Sequence, residues 1–197
     1  MTLVLLDTNA YLRFAKRIKP LLGISFGQKG YVLTILPEVE DEVRRSAKLR
    51  FHFPWFDDPE FAQERLAKRT RINRQQREQI AAASSILRAH VLDDVARFSA
   101  RGRSPPSPTD CYILAFGQIC PAVVVTDDMG MHLLADDFEI PIWHGFELLK
   151  KMQSAKLIDN EKVREIYDAL EVNTDLDHAW RDAKHTVFKK IFGPPQK

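Results

Sequence analysis

Four short apolar runs, separated by stretches with helical patterning, constrain the fold of this chain more than any other feature. We predict strands at Thr2–Leu6, Tyr31–Ile35, Ala122–Thr126 and Ile140–Trp143. The first run, LVLL, is continuous rather than alternating, which is typical of a strand that is buried on both faces. Strands that alternate with helices favour a parallel sheet between layers of helices. The sequence therefore predicts an α/β fold.

Helical patterning fills the segments between these strands. Pro37 suits the first turn of a helix that we expect to continue to Leu49. A second helical region runs from Phe61 to about Arg101, with a joint near Arg71–Asn73, and the prolines of RGRSPPSP end it. Beyond Gly145 only helical patterns follow. We therefore divide the chain into a domain at 1–145, with a basic helical insertion at about 52–104, and a helical C-terminal extension at 146–197.

Composition limits the class of protein. Of the 197 residues, 45% are hydrophobic, which suffices for a packed core. The net charge of +2 does not by itself identify a nucleic-acid-binding protein. The sequence has no signal-peptide pattern and no apolar run near the roughly 20 residues that span a bilayer. We therefore expect a cytoplasmic protein without a membrane partner.

Acidic residues gather where the predicted strands end. In an open parallel sheet, ligands bind at the carboxyl ends of the strands. Clustered carboxylates repel one another unless a cation neutralises them, and a site made only of oxygen ligands suits Mg²⁺ or Mn²⁺. Such a site can catalyse phosphodiester hydrolysis. The acids at or near this edge are Asp7, Glu38, Glu40, Asp41, Glu42, Asp110, Asp127 and Asp128.

Four segments, in this order, resemble the acidic signature of the PIN domain family: LVLLDTN, ILPEVEDEV, PTDCYILAFG and VVVTDDMGMHLLA. PIN domains are metal-dependent nucleases that act mostly on RNA, and they include toxins of bacterial toxin–antitoxin pairs. The resemblance implies a three-layer α/β/α fold with a short parallel sheet and a hydrolase of the endoribonuclease type that depends on Mg²⁺ or Mn²⁺. It leaves an antitoxin protein and a homodimer open as partners besides the RNA substrate.

Carried onto this sequence, the resemblance implies four acids that bind the metal and carry out catalysis. Their segments assign Asp7, Asp110 and Asp128. The remaining acid is Glu42, and Glu38, one helical turn earlier on the same face, is the alternative. Residues that orient these ligands are expected at Thr8, Asn9, Thr126 and Asp127.

Each acid also has an ordinary structural explanation. Asp7 suits a helix cap, and Asp110 suits the first turn of a helix. For Glu40 and Asp41 we expect only a solvated helix face. One shared site nevertheless explains four acids in the matching order better than four separate coincidences do.

Basic and aromatic residues accompany the acids. We expect the backbone phosphates of RNA to contact Arg45, Arg69, Arg71, Arg74, Arg101 and Arg103. The aromatic residues between the two helical regions suit either base stacking or anchoring of the insertion to the core, and we favour anchoring. They are Phe51, Phe53, Trp55 and Phe56.

Two other functions stay open. A module with the PIN fold could bind RNA or a protein without cleaving RNA. A phosphatase of the haloacid dehalogenase type would also begin with an acid after the first strand. It requires a second acid two residues later, where this chain has Asn9.

Overall fold

The computed structural model describes residues 1–194, apart from the side chain of Arg101. Within that range five strands form one sheet, in the order β2-β3-β1-β4-β5. They are β1 (Thr2–Leu6), β2 (Ser25–Phe26), β3 (Tyr31–Thr34), β4 (Ala122–Val125) and β5 (Ile142–Trp143). β1 pairs in parallel with β3 and β4, β4 pairs in parallel with β5, and β2 is antiparallel to β3.

Helices flank this sheet in a three-layer α/β/α arrangement, so the predicted fold class is confirmed. They are α1 (Thr8–Phe14), α2 (Pro37–Arg45), α3 (Ala47–His52), α4 (Pro59–Ala67), α5 (Arg74–Asp93), α6 (Val95–Phe98), α7 (Pro108–Ile119), α8 (Met129–Asp137), α9 (Gly145–Ser154), α10 (Asn160–Val172), α11 (His178–His185) and α12 (Lys189–Phe192). Short 3₁₀ helices lie at Pro54–Asp57 and Ala100–Gly102. Among these helices we find none that combines the length and the apolar character needed to cross a membrane.

The continuous apolar run of the first strand occupies the centre of the sheet. Val4, Leu5 and Leu6 are fully buried, as expected for a strand that is covered on both faces. Because β1 lies between β3 and β4, the residue that follows it is held at the middle of the carboxyl edge of the sheet.

The predicted helix from Pro37 to Leu49 is wrong in one respect, because it is broken at Ser46. Ser46 has an extended backbone, and its hydroxyl oxygen accepts a hydrogen bond from the Leu49 N–H at 3.2 Å, so it caps α3. The predicted joint near Arg71–Asn73 is confirmed, since α4 ends at Ala67 and α5 begins after the capping residue Asn73.

The C-terminal helices share one hydrophobic core with the sheet domain. The central residue of this contact is Trp180 of α11, which is fully buried. Its ring lies 6.3 Å from the Phe14 ring of α1 and 5.3 Å from the Tyr167 ring of α10, centroid to centroid. The extension is therefore packed directly against the helix that follows β1.

Candidate functional site

Asp7 lies directly beyond β1 and is only 4% exposed. Its backbone N–H donates to the Val125 carbonyl at 3.0 Å, which continues the β1–β4 pairing past the last strand residue. Its Oδ1 accepts a hydrogen bond from the Ala10 N–H at 2.6 Å and caps α1. Asp7 thus has the ordinary capping role and is also fixed rigidly at the sheet edge.

The electrostatic environment of Asp7 is unfavourable for a carboxylate. Burial, together with the charges of Asp127 and Asp110, raises the pKa of Asp7 to about 7, although hydrogen bonds with Thr126 and the Ala10 N–H act in the opposite direction. A nearby cation would favour the charged form of this side chain. The position of Asp7 therefore suits a carboxylate that binds a cation.

Asp110 lies in the first turn of α7, next to the proline-rich loop. Its Oδ2 accepts from the Ser107 N–H at 2.7 Å, and the Ser107 hydroxyl oxygen accepts from the Asp110 N–H at 3.2 Å. This pair forms a capping box. Burial raises the pKa of Asp110, and the charges of Glu42 and Asp128 add to the rise. Asp110 is therefore close enough to both acids to be affected by their charges.

Thr126 connects two of the acids from a fully buried position. Its side chain hydrogen-bonds to Asp7, and its oxygen accepts from the Asp128 N–H at 3.0 Å. Asp128 in turn caps α8, because its Oδ1 accepts from the Met131 N–H at 2.9 Å. The orienting role expected for Thr126 is thus consistent with its contacts.

Glu42 and Glu38 differ in their contacts. The Thr8 hydroxyl donates a hydrogen bond to the Glu42 carboxylate, so Glu42 is linked to the segment that carries Asp7. Burial raises the pKa of Tyr112, and the charge of Glu38 adds to that rise, which places Glu38 towards α7. Both glutamates line a cavity of about 360 Å³. These contacts favour Glu42 as the acid that acts together with Asp7.

Within residues 1–194, and leaving aside the side chain of Arg101, four acids at this edge lack compensating cations. Among the described side chains, no lysine, arginine or histidine forms an ion pair with Asp7, Glu42, Asp110 or Asp128. Several acids around them are paired, as described below. The four acids assigned from the sequence segments are therefore uncompensated in this part of the chain, as is the alternative Glu38.

Glu40 is not on a solvated helix face, and that expectation was wrong. It is 5% exposed and pairs with Arg65 at 3.4 Å and with Arg69 at 2.9 Å. Arg65 is itself buried and donates to the Tyr11 hydroxyl at 3.2 Å. Arg44 of the same helix also pairs with Glu40, at 3.3 Å. The sequence pattern around Glu40 could not reveal the burial of this acid against Arg65 and Arg69, which come from and just after α4. Its neighbour Asp41 is exposed, as expected.

Asp127 has a structural role that sequence reasoning missed. Its carboxylate accepts hydrogen bonds from Arg13, from Trp180 Nε1 at 2.8 Å and from the Gly145 N–H at 2.9 Å, and it lies 3.5 Å from His144 Nδ1. Burial alone would raise the pKa of Asp127, but His144, Arg13 and Trp180 together hold it below its ordinary value. Asp127 therefore stays charged and joins the end of β4 to the C-terminal helices.

The other predicted orienting residue, Asn9, forms no side-chain hydrogen bond with the four acids within the described residues. Asn9 is exposed and lines a groove of about 460 Å³ between α1, α3 and the α10–α11 connection. Arg13 lines the same groove and holds Asp175 with two side-chain contacts, at 2.7 and 2.8 Å. Thr8, by contrast, is buried and bonded to Glu42.

The arginines expected to bind RNA are engaged in different ways. Arg45 lines the cavity that contains Glu42. Arg69 is paired with Glu40, and Arg74 is paired with an acid of its own helix at 2.8 Å. The remaining positions are Arg71, which is exposed, Arg103, which is half-buried, and Arg101, whose side chain lies outside the described residues. Arg45 also lies 3.6 Å from Asp41, so it is the predicted RNA contact that lines the same cavity as Glu42.

The donor chemistry of the four acids fits a hard divalent cation, because carboxylate oxygens are the ligands that Mg²⁺ and Mn²⁺ prefer. The raised pKa of Asp7 and the missing ion pairs point the same way. Within residues 1–194, however, no group of three or more His, Cys, Asp or Glu residues is positioned to hold a metal ion. Shared binding of one ion therefore requires the carboxylates to approach each other more closely.

Comparisons with known proteins leave the family unassigned. No family model and no curated protein matches the sequence. Among solved structures, the crystal structure of FitAcB from Neisseria gonorrhoeae is similar, with a TM-score of 0.43 and 15% sequence identity over 73% of this chain and 98% of that chain. We derive neither family nor activity from a similarity of this size.

Proposed function

We propose that this chain is a divalent-metal-dependent endoribonuclease that hydrolyses RNA phosphodiester bonds at Asp7, Glu42, Asp110 and Asp128. One observation carries the proposal: four carboxylates from separate segments lie at one sheet edge, and no described cation pairs with them. Mutual repulsion and burial disfavour such an arrangement. Buried carboxylates with a raised pKa, such as Asp7 and Asp110, concentrate at functional sites.

In this proposal the chain's own residues hold a cation and orient the ligands. Asp7, Asp110 and Asp128 bind Mg²⁺ or Mn²⁺ together with Glu42. When bound, the ion supplies electrostatic stabilisation of the charge that develops on the phosphodiester group. The hydrogen bond from Thr8 keeps the Glu42 carboxylate facing the Asp7 segment. Capping bonds restrict Asp7, Asp110 and Asp128 to fixed orientations.

The resemblance of the four sequence segments to PIN domains supports RNA as the substrate. The same resemblance supports a role as the toxin of a toxin–antitoxin pair. That role predicts an antitoxin protein that binds this chain and suppresses RNA cleavage. Co-purification with the product of a small neighbouring gene for a DNA-binding protein would support it.

The test uses purified protein and an end-labelled RNA that contains single-stranded and hairpin regions. Cleavage is followed with Mn²⁺, Mg²⁺ or EDTA, for the wild type, Asp7→Asn and Asp128→Asn. Asp136→Asn is the matched control, because Asp136 is an exposed acid near the end of α8. We expect metal-dependent cleavage that the first two variants lose and the control retains. Unchanged metal-dependent cleavage in Asp7→Asn and Asp128→Asn would overturn the proposal.

One observation favours a second candidate, a module that binds RNA or a protein without cleavage. The four acids do not, in their present positions within the described residues, form a group that could hold an ion. RNA binding without turnover under Mn²⁺ or Mg²⁺ would favour this candidate. The phosphatase alternative has weaker support, since Asn9 stands at the position of the required second acid and lines a separate groove.

A further inference from the structure

A groove is lined by Asn9, which comes two residues after Asp7 in the chain. We call it the Asn9 groove, and its main polar lining residues are Asn9, Arg13, Arg17, Lys48, His52 and Asp175. It has a volume of about 460 Å³. One wall comes from α1 and α3, and the opposite wall comes from the C-terminal extension. The groove therefore lies between two parts of the chain, and one of its walls is the helix that Asp7 caps.

The charges of the Asn9 groove favour an anion. Its carboxylate, Asp175, is already paired with Arg13, at 2.7 Å from Arg13 Nε. Arg17 donates to the Arg13 carbonyl at 3.3 Å, and Lys48 is exposed. Within the described residues, neither Arg17 nor Lys48 forms an ion pair with an acid. Two cations thus remain available for a ligand such as a phosphate.

An exposed aromatic ring lies next to this groove. Phe51 is 82% exposed, and its ring centroid lies 5.5 Å from that of the groove residue His52. Phe56 of the same aromatic segment is buried in the core, so the expected anchoring role applies to Phe56 and not to Phe51. Aromatic rings beside a cationic groove are the usual platform for stacking of bases in single-stranded nucleic acids.

We propose that the Asn9 groove binds a single-stranded RNA segment adjacent to the scissile bond. In this arrangement Arg17 and Lys48 contact backbone phosphates, and the ring of Phe51 stacks on a base. This assignment rests on the proposed function for the identity of the strand. The C-terminal extension then forms part of the substrate site, because Asp175 belongs to the groove and positions Arg13. The extension would then shape the RNA site by holding Arg13 in place, besides stabilising the core.

The test measures binding apart from cleavage. A short fluorescein-labelled single-stranded RNA is titrated with the full chain in EDTA, and its fluorescence anisotropy is recorded at several salt concentrations. The variants are Arg17→Gln, Lys48→Gln and Phe51→Ala. The matched control is Lys29→Gln, since Lys29 is exposed and its neighbour Gly30 accepts a hydrogen bond from Thr2 at the opposite end of β1.

Arg17→Gln and Lys48→Gln, which each remove one positive charge, should each weaken binding about tenfold. Each should also lower the slope of log K against log salt by about 0.7, the value expected for one lost phosphate contact in a single strand. Phe51→Ala should weaken binding about tenfold without a change in that slope, because stacking releases no counterion. Lys29→Gln should bind as the wild type does. In Mn²⁺, the groove variants should raise KM with little change in kcat.

The groove assignment would be overturned by no binding of the wild type in EDTA, or by equal binding of the wild type and all groove variants. Binding that Lys29→Gln weakens as much as Lys48→Gln does would also overturn it, since that indicates a diffuse electrostatic effect. The expected binding pattern without cleavage under any cation would support the groove and overturn the nuclease. The two proposals can therefore fail separately.

Discussion

The Thr8 hydroxyl donates a hydrogen bond to the Glu42 carboxylate and so ties the first turn of α1 to α2. Thr8 directly follows Asp7, which caps the same helix. The bond therefore fixes the position of one uncompensated acid relative to another, although the two lie in different segments. A contact of this kind restricts a side chain that would otherwise sample several rotamers.

We predict that Glu42→Gln lowers metal-dependent cleavage by about a hundredfold or more, since loss of the residues around a metal site commonly costs ten- to a hundredfold and a ligand costs more. Glu38→Gln is the control, and it should stay near wild-type activity. Thr8→Val should give an intermediate loss. Initial rates under Mn²⁺ test this, and equal losses in Glu42→Gln and Glu38→Gln would contradict the choice of Glu42.

Asp7 makes folding depend on pH in the absence of metal. Its pKa is about 7 in the folded protein, against an ordinary value of 3.8. Between these values the folded state retains a proton that the unfolded state has released, so the free energy of unfolding falls as pH rises through this window.

We therefore expect Asp7→Asn to be more stable than the wild type at pH 8 in EDTA, by up to a few kcal/mol, since one pKa unit corresponds to about 1.4 kcal/mol. The difference should be small near pH 4. Urea unfolding at both pH values measures it. A stability difference that does not change with pH would show that burial of the charge is not its cause.

Metal binding should reverse this order of stability. If Mn²⁺ binds the folded state, a concentration of a hundred times Kd stabilises the wild type by about 2.7 kcal/mol. Asp7→Asn and Asp128→Asn should show much smaller increases in Tm, while the exposed control Asp136→Asn should respond as the wild type does. Thermal unfolding with and without Mn²⁺ decides this, and equal responses in all variants would indicate binding elsewhere.

The hydrogen bond from Trp180 to Asp127 should contribute to stability. Trp180→Phe removes a donor from a charged, buried carboxylate, and hydrogen bonds to charged groups contribute about 1.5–3 kcal/mol. Trp143→Phe is the control, because Trp143 is a half-buried ring of β5. We expect a clearly larger loss in the free energy of unfolding for Trp180→Phe. Because the pKa of Asp127 is lowered, its stabilising contribution is present at neutral pH and is lost as pH falls below about 4.

Gly145 has no side chain and so leaves room for the hydrogen bond between Trp180 and Asp127. A Cβ at this position would lie 2.8 Å from Asp127 Oδ2 and 2.8 Å from Trp180 Cζ2. Gly145→Ala should therefore destabilise the protein by about 1–3 kcal/mol, as overpacking of a core commonly does. Chemical unfolding measures the change. A variant as stable as the wild type would mean that the helix start shifts without cost.

Much of the fold could be predicted from the sequence because its signals are local. Continuous apolar runs identified β1 and β4, and Asn73 and the prolines marked helix boundaries. β2 was missed because a strand of two residues is too short to show a pattern of alternating hydrophobic residues. Its pairing with β3 also depends on the turn before β3 that contains glycines. The break at Ser46 was missed because the helical period continues across it.

The candidate acids were predictable where they follow a strand end or a proline-rich loop closely. Asp7 and Asp128 belong to such positions, and Asp110 follows a proline-rich loop. The roles of Glu40 and Asp127 depend on arginine and tryptophan partners far away in the chain, and no local pattern specifies those pairs. Local i,i+4 pairs within α2 compensate Glu40 and Asp41 in part, but the burial and remaining partners of Glu40 and Asp127 are properties of the tertiary structure.

Arg13 bonds to Asp127 at the sheet edge and to Asp175 in the C-terminal extension. During synthesis, the sheet strands and all four uncompensated acids leave the ribosome before Asp175 and Trp180 do. Until those residues emerge, the Asp127 carboxylate lacks its indole donor, and Arg13 lacks its second partner. The edge that carries the acids can therefore reach its final shape only after residues as far as Trp180 have been translated.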